Sequence, residues 1–285
     1  MPDLDAVHRL FRILHAAIGF AGLGLFWVPV LARKGSRLHI TSGRLFAGCA
    51  YYVALTGLLA SVWGLLHPPS FLAGEDLGAM PGDRARLAIE RLRFILSITG
   101  FLALGVLAGV VLGTRVMKAG PRHEQLRSPL VLVPLGGLLI WSAALALYGL
   151  ASLVAVYAGW HFIPRAGGHR YWLTAGLGVL GVYGAIGDLR YVRGPCPSPP
   201  ARWSMHVHCV LGAGAGFYAA FFLFGATRLL PVPGAWPLIA AMLPVVIGSV
   251  ATKAYISRYE RRVGSLPADE SHQAMPSRLA VGPER

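Results

Sequence analysis

Residues 130–162 read LVLVPLGGLLIWSAALALYGLASLVAVYAGWHF, with no Asp, Glu, Lys or Arg. An apolar run of at least about 18 residues is long enough to cross a bilayer. This run is too long for one straight crossing. At about 1.5 Å per residue it reaches near 50 Å, against a hydrocarbon core of about 30 Å. Pro134, Gly136 and Gly137 offer a kink near one end, and no polar turn divides the run. It reads as one kinked helix, as a span plus a surface segment, or as two spans. That choice sets the number of crossings and the side on which everything downstream lies.

Six further apolar runs fall at 13–31, 45–66, 94–112, 171–189, 207–226 and 236–256. Cytoplasmic loops carry an excess of Lys and Arg, and this arbitrates the fourth run. With one crossing there and the N-terminus outside, the inner segments are consistently basic. The first holds Arg33, Lys34, Arg37 and Arg44; the second Arg115, Lys118, Arg122 and Arg127; the third Arg190, Arg193 and Arg202. Together with the C-terminal side they hold 17 of the 26 basic residues. Two crossings would put the third loop and the tail outside. The sequence therefore predicts an all-α, polytopic protein of the inner membrane with seven transmembrane helices, N-terminus outside and C-terminus cytoplasmic. Residues 1–262 form the membrane domain and 263–285, rich in Pro, Ser and charge, a disordered cytoplasmic tail. Residues 67–93 form the longest outer loop. Met1 to Arg12 has no cleavage site of signal-peptide type after it, so the first run reads as a retained span.

Composition agrees. Hydrophobic residues make up 55% and charged residues 13%, about half the charge of a soluble domain, and the mean hydropathy is +0.58. The net charge of +14 then needs no nucleic acid, since topology and anionic lipid account for it. Cys49, Cys196 and Cys209 form no CxxC pair and are odd in number, which argues against a structural disulfide or a cysteine zinc site.

Ionisable groups within spans are functional candidates. Asp188 is the one carboxylate touching a span, at the inner end of the fifth, two residues before Arg190. No carboxylate lies at mid-span, which argues against a proton- or cation-coupled transporter. Lys253 lies close to the inner surface, where a lysine snorkels. The histidines are better placed. His15 lies just inside the outer end of the first span, His39 before the inner start of the second, and His206 and His208 at the inner start of the sixth. Imidazole is a common metal and haem ligand. A b-type haem needs two at one depth on facing helices. His39 with His206 or His208 meets that condition on the inner side, and His15 with His67 or His161 on the outer. Residues i and i+2 of a helix do not share a face, so His206 and His208 cannot both point into one site. Small residues recur at Gly43, Ala47, Ala50, Ala54, Gly57, Ser61 and Gly64, and His208 continues to Gly212, Ala215 and Ala219. Such stripes allow close helix contact, within the chain or with partner helices or a second copy, or leave room for a flat cofactor.

The stretch KGSRLHITSGRLF (34–46) resembles the KG…H…GR signature of an uncharacterised bacterial family of multi-pass membrane proteins, domain of unknown function twenty-three-zero-six. His15 with Gly19, GDLRYVRG (187–194), then Trp203 and His206, AAF (219–221) and a closing Trp236…Pro244…Arg258 are similar to later parts of its pattern. Where the family often has Met four residues after the late histidine, this chain has Val210. That register favours His206, whereas the small stripe favours His208. The resemblance implies an integral membrane protein and no particular reaction.

Three functions fit these residues. The first is a haem b or membrane redox protein using His15, His39 and His206 or His208. The second is a transporter or channel for a small or lipophilic solute, with Asp188, Arg190 and Arg44 near an inner gate. The third is a non-catalytic assembly protein whose small stripes bind partner helices.

Overall fold

The structure is a computed structural model, and it describes residues 4–72, 81–158 and 168–226, with scattered helical positions, one or two residues at a time, between 246 and 261. Within these residues all regular structure is helical: α1 (Leu4–Leu31), α2 (Arg37–Leu66), a single turn α3 (Pro68–Phe71), α4 (Gly82–Ala119), a 3-10 turn (His123–Arg127), α5 (Pro129–Tyr157), α6 (Gly168–Arg193) and α7 (Pro199–Ala220), which runs on into a π-helical turn (Phe221–Ala226). Six of them are long and apolar enough to cross a membrane: Arg9–Leu31, Arg37–Leu66, Gly82–Ala119, Pro129–Tyr157, Tyr171–Arg193 and Pro199–Ala226. Large apolar side chains, among them Phe20, Leu59, Ile140, Leu147 and Val154, are exposed on these helices. A water-soluble monomer does not leave so much apolar surface bare, and this is a multi-pass membrane protein. Most of the seventh predicted span, 236–256, the predicted tail, and His161 lie outside the described residues.

The decisive run is one helix. α5 starts with Pro129 at its first position, where a missing N–H costs nothing, and continues through Pro134 to Tyr157. Its 29 residues make about 43 Å.

The helices outrun their apolar cores. α4 starts at Gly82, so the second half of the predicted outer loop is helix. Arg84, Arg86, Glu90, Arg91 and Arg93 interrupt the apolar pattern, but Arg and Glu are good helix formers, and Glu90 pairs with Arg93 at 3.7 Å, one turn on. α7 begins eight residues before the predicted span. Arg202 and Trp203 therefore sit on helix, not in a loop, and His206 and His208 are in its second and third turns. His39, expected ahead of the second helix, is in its first turn.

By contacts the chain divides into two units, one of Met1–Tyr52 and Ser198–Arg285, the other of Val53–Pro197. The boundary falls inside α2.

In the second unit α4 is buried through most of its length, from Leu96 to Ala119, as a helix apolar all round should be. Trp141 of α5 lies over Gly100 of α4, where a Cβ would collide with the indole, and its Nε1 donates to the Ser97 carbonyl at 2.9 Å. α5 and α6 run antiparallel with their backbones in contact. A Cβ on Gly149 would strike the backbone of Ala175, and one on Gly178 the backbone of Ala146; one on Gly181 would strike Ser142. Between lipid-embedded helices, attraction comes from such close van der Waals approach, which only small residues permit.

In the first unit α2 and α7 both run antiparallel to α1. Gly22, Phe26 and Pro29 of α1 face Cys49, Phe46 and Gly43 of α2 in descending order, while Gly22 and Phe26 face Phe217 and Gly214 of α7. Phe26, Phe46 and Phe217 form an aromatic layer with ring centroids 5.4 Å and 6.1 Å apart. Beside it, Tyr218 accepts from Trp27 Nε1 at 2.7 Å and donates to the Leu23 carbonyl at 2.8 Å.

The small stripe of α2 faces inward. Ala47, Ala50, Ala54, Gly57, Ser61 and Gly64 are buried, and a Cβ on Gly64 would meet Leu96 and Phe71. Close packing within the chain uses this stripe.

Candidate functional site

The KGSRLH motif is a helix-to-helix turn in which Lys34, Gly35, Ser36 and His39 each have a mechanical role. α1 ends at Leu31, so the carbonyls of Pro29 and Val30 lose the N–H groups that a longer helix would supply. Lys34 Nζ donates to both, at 3.1 Å and 2.7 Å. A cation there also opposes the negative end of the helix dipole. Gly35 reverses the chain at φ +76°, a conformation that L side chains rarely adopt. Ser36 then caps α2, its Oγ accepting from the His39 N–H at 3.2 Å, the usual geometry three residues into a helix.

His39 returns to α1. Its Nδ1 lies 2.9 Å from the Pro29 carbonyl oxygen. A carbonyl only accepts, so Nδ1 carries the hydrogen. In the neutral ring Nε2 then keeps its lone pair. A histidine that ligates a metal is commonly held in this way by its other nitrogen. His39 is half-buried.

The structure separates His206 from His208. The packed face of α7 carries Cys209, Ala213 and Phe217. His206 is three and seven residues before the first two, on that face, and is half-buried, whereas His208 is exposed. The expected stripe from His208 through Gly212 is exposed at its first two members and buried at Ala215 and Ala219. The registers give depth. His39 is four residues before Gly43, which faces Pro29, and so lies level with position 33 beyond α1. His206 is eight residues before Gly214, which faces Phe26, and so lies level with position 34. The two histidines belong to one unit and one end of it, at matching height. His15 is 14 residues before Pro29, about 21 Å away along α1, so it does not join them. It shares its unit with them but not with His67, which is in the second.

The other candidates divide as well. Arg44, exposed, belongs to the first unit, and Asp188 and Arg190 to the second. Around Arg190 the structure shows what no sequence signal marked. The loop between α4 and α5 holds the end of α6. His123, 3% exposed, has its Nε2 2.9 Å from the Tyr191 carbonyl and its ring edge-on to Tyr191 at 5.3 Å. Arg127 Nη2 donates to the carbonyls of Arg193 and Gly194 at 3.0 Å and 3.3 Å. Cys196 Sγ is 3.5 Å from the Pro121 carbonyl. His123 and Arg127 sit in a polar stretch where nothing in spacing or periodicity points to them.

Among the described residues no three His, Cys, Asp or Glu side chains come together as a metal-binding group. A haem iron asks the protein for fewer ligands, two axial imidazoles in a b-type cytochrome; His39 and His206 are half-buried and at matching height, and His39 has its tautomer fixed. The aromatic layer and the buried Ala47 and Ala50 fill the middle of the first unit.

No family model, no curated protein and no solved structure matches the chain.

Proposed function

We propose that this is a seven-span protein of the bacterial inner membrane, N-terminus outside and C-terminus cytoplasmic, whose α1–α2–α7 unit binds haem b between His39 and His206. The observation that carries the proposal is the His39 ring held by Nδ1 on the Pro29 carbonyl, which leaves Nε2 as the ligating atom. The matching height of His206 supports it, as does the position of His206 on the packed face of α7. Bound haem would supply one-electron chemistry. The chain's own part is to fix two imidazoles, hold one tautomer and keep bulk water from the buried side of the site.

The test is the haem content of purified variants. His39→Ala and His206→Ala should each lose most of the haem absorbance of the wild-type chain, while His208→Ala keeps it. Full haem in His39→Ala, or loss in His208→Ala with His206→Ala unchanged, would overturn the assignment.

A further inference from the structure

Beside the end of α6 an open cleft of about 450 Å³ is lined by Leu139 of α5 and by Ile186, Leu189, Arg190, Arg193 and Gly194. Its walls are of two kinds. Leu139, Ile186 and Leu189 present an apolar side along the last turns of the span. Arg190 and Arg193, three residues apart and so on one helix face, are exposed at its end.

Cations at a helix C-terminus are ordinarily spent on the last carbonyls. Here other groups have taken that work. The Gly194 N–H donates to the Arg190 carbonyl at 2.9 Å, His123 donates to Tyr191, and Arg127 donates to Arg193 and Gly194. The guanidiniums of Arg190 and Arg193 make no hydrogen bond or ion pair among the described residues. Asp188, two residues before Arg190, is on another face of the helix. Two unspent cations therefore stand at the headgroup end of an apolar cleft between two membrane helices, and a third guanidinium, Arg127, offsets the helix dipole that would otherwise repel an anion.

We propose that this cleft is a binding site for an anionic phospholipid, with its phosphate on Arg190 and Arg193 and an acyl chain along Leu139, Ile186 and Leu189. The occupant follows from charge complementarity together with the apolar wall. A zwitterionic lipid satisfies the wall but not two net positive charges, and a free anion gains nothing from the wall. Basic pockets at the ends of transmembrane helices hold acidic headgroups in this way. The site rests on α6 crossing the membrane and is independent of haem binding.

The experiment is native mass spectrometry of the full chain released from detergent after titration with phosphatidylglycerol, phosphatidylcholine or inorganic phosphate. Phosphatidylglycerol should be retained as one tightly held molecule, and phosphatidylcholine and phosphate should not. The double variant Arg190→Gln/Arg193→Gln should bind phosphatidylglycerol about twenty-fivefold more weakly, at roughly fivefold for each basic residue at an anionic surface. The Arg33→Gln/Arg37→Gln variant, altered in the α1–α2 turn, should bind as the wild type does. Arg190→Gln alone gives up no hydrogen bond to a described residue, so it should keep the fold and show an intermediate loss. Equal retention of phosphatidylcholine, equal binding of phosphate, or unchanged affinity in the Arg190→Gln and double variants would each overturn the proposal.

Discussion

Arg127 donates two hydrogen bonds to the end of α6 from a loop 66 residues earlier in the chain. Hydrogen bonds from a charged donor contribute more than neutral ones, but this pair is exposed to solvent. Arg127→Ala should therefore lower stability by about 1 kcal/mol. His123 is the more costly residue to change. Replacing it with Phe keeps the ring packed on Tyr191 but removes a buried hydrogen bond to the Tyr191 carbonyl, which keeps the Gly194 N–H at 3.3 Å, at about 1.5 kcal/mol. Thermal unfolding in one detergent, compared across the two variants, checks the order. A loss in Arg127→Ala as large as that in His123→Phe would show that the clamp is held mainly by charge. Neither residue was legible in the sequence, because their partners are main-chain carbonyls and a carbonyl has no residue signature. His39 was legible as a candidate, from its position beside a small stripe. Its tautomer was not, because that depends on the carbonyl freed where α1 stops.

The helices show the same division. Apolar run length gave the apolar core of the six long described helices and the C-terminal ends of α1 and α2, and it missed the charged ends, since charged residues end a hydropathy signal without ending a helix. Gly82–Arg93 and the first two turns of α7 fall outside the apolar runs for that reason. The glycines of α6 show another limit. Gly176, Gly178, Gly181, Gly184 and Gly187 surround the helix, so the sequence cannot say which of them face α5. The structure separates them. A Cβ on Gly178 or Gly181 would enter a neighbour, and one on Gly176, Gly184 or Gly187 meets nothing. Gly178→Leu should force α5 and α6 apart and cost about 3 kcal/mol or more. Gly176→Ala on the same helix should be neutral or stabilising by up to about 1 kcal/mol, through the lower flexibility of alanine in a helix. The midpoints of thermal unfolding should separate accordingly. Equal effects at the two positions would contradict the close α5–α6 contact.

For the whole molecule, six helices are long and apolar enough to cross a membrane, and the proposed seventh and the orientation follow from where the basic residues fall. A fluorescent protein fused after residue 285 should fold and emit, and a periplasm-dependent phosphatase at the same position should be inactive. The opposite pattern would mean an even number of crossings or an inverted orientation, and the inverted orientation alone would put Arg190 and Arg193 in the other leaflet. The central claim is that this membrane chain carries haem. Its most direct test is the visible spectrum of the full chain, purified in mild detergent from haem-supplemented cells, recorded oxidised and then after dithionite. A Soret band and, on reduction, sharp α and β bands at near-stoichiometric haem are expected. A folded, colourless protein would contradict the claim.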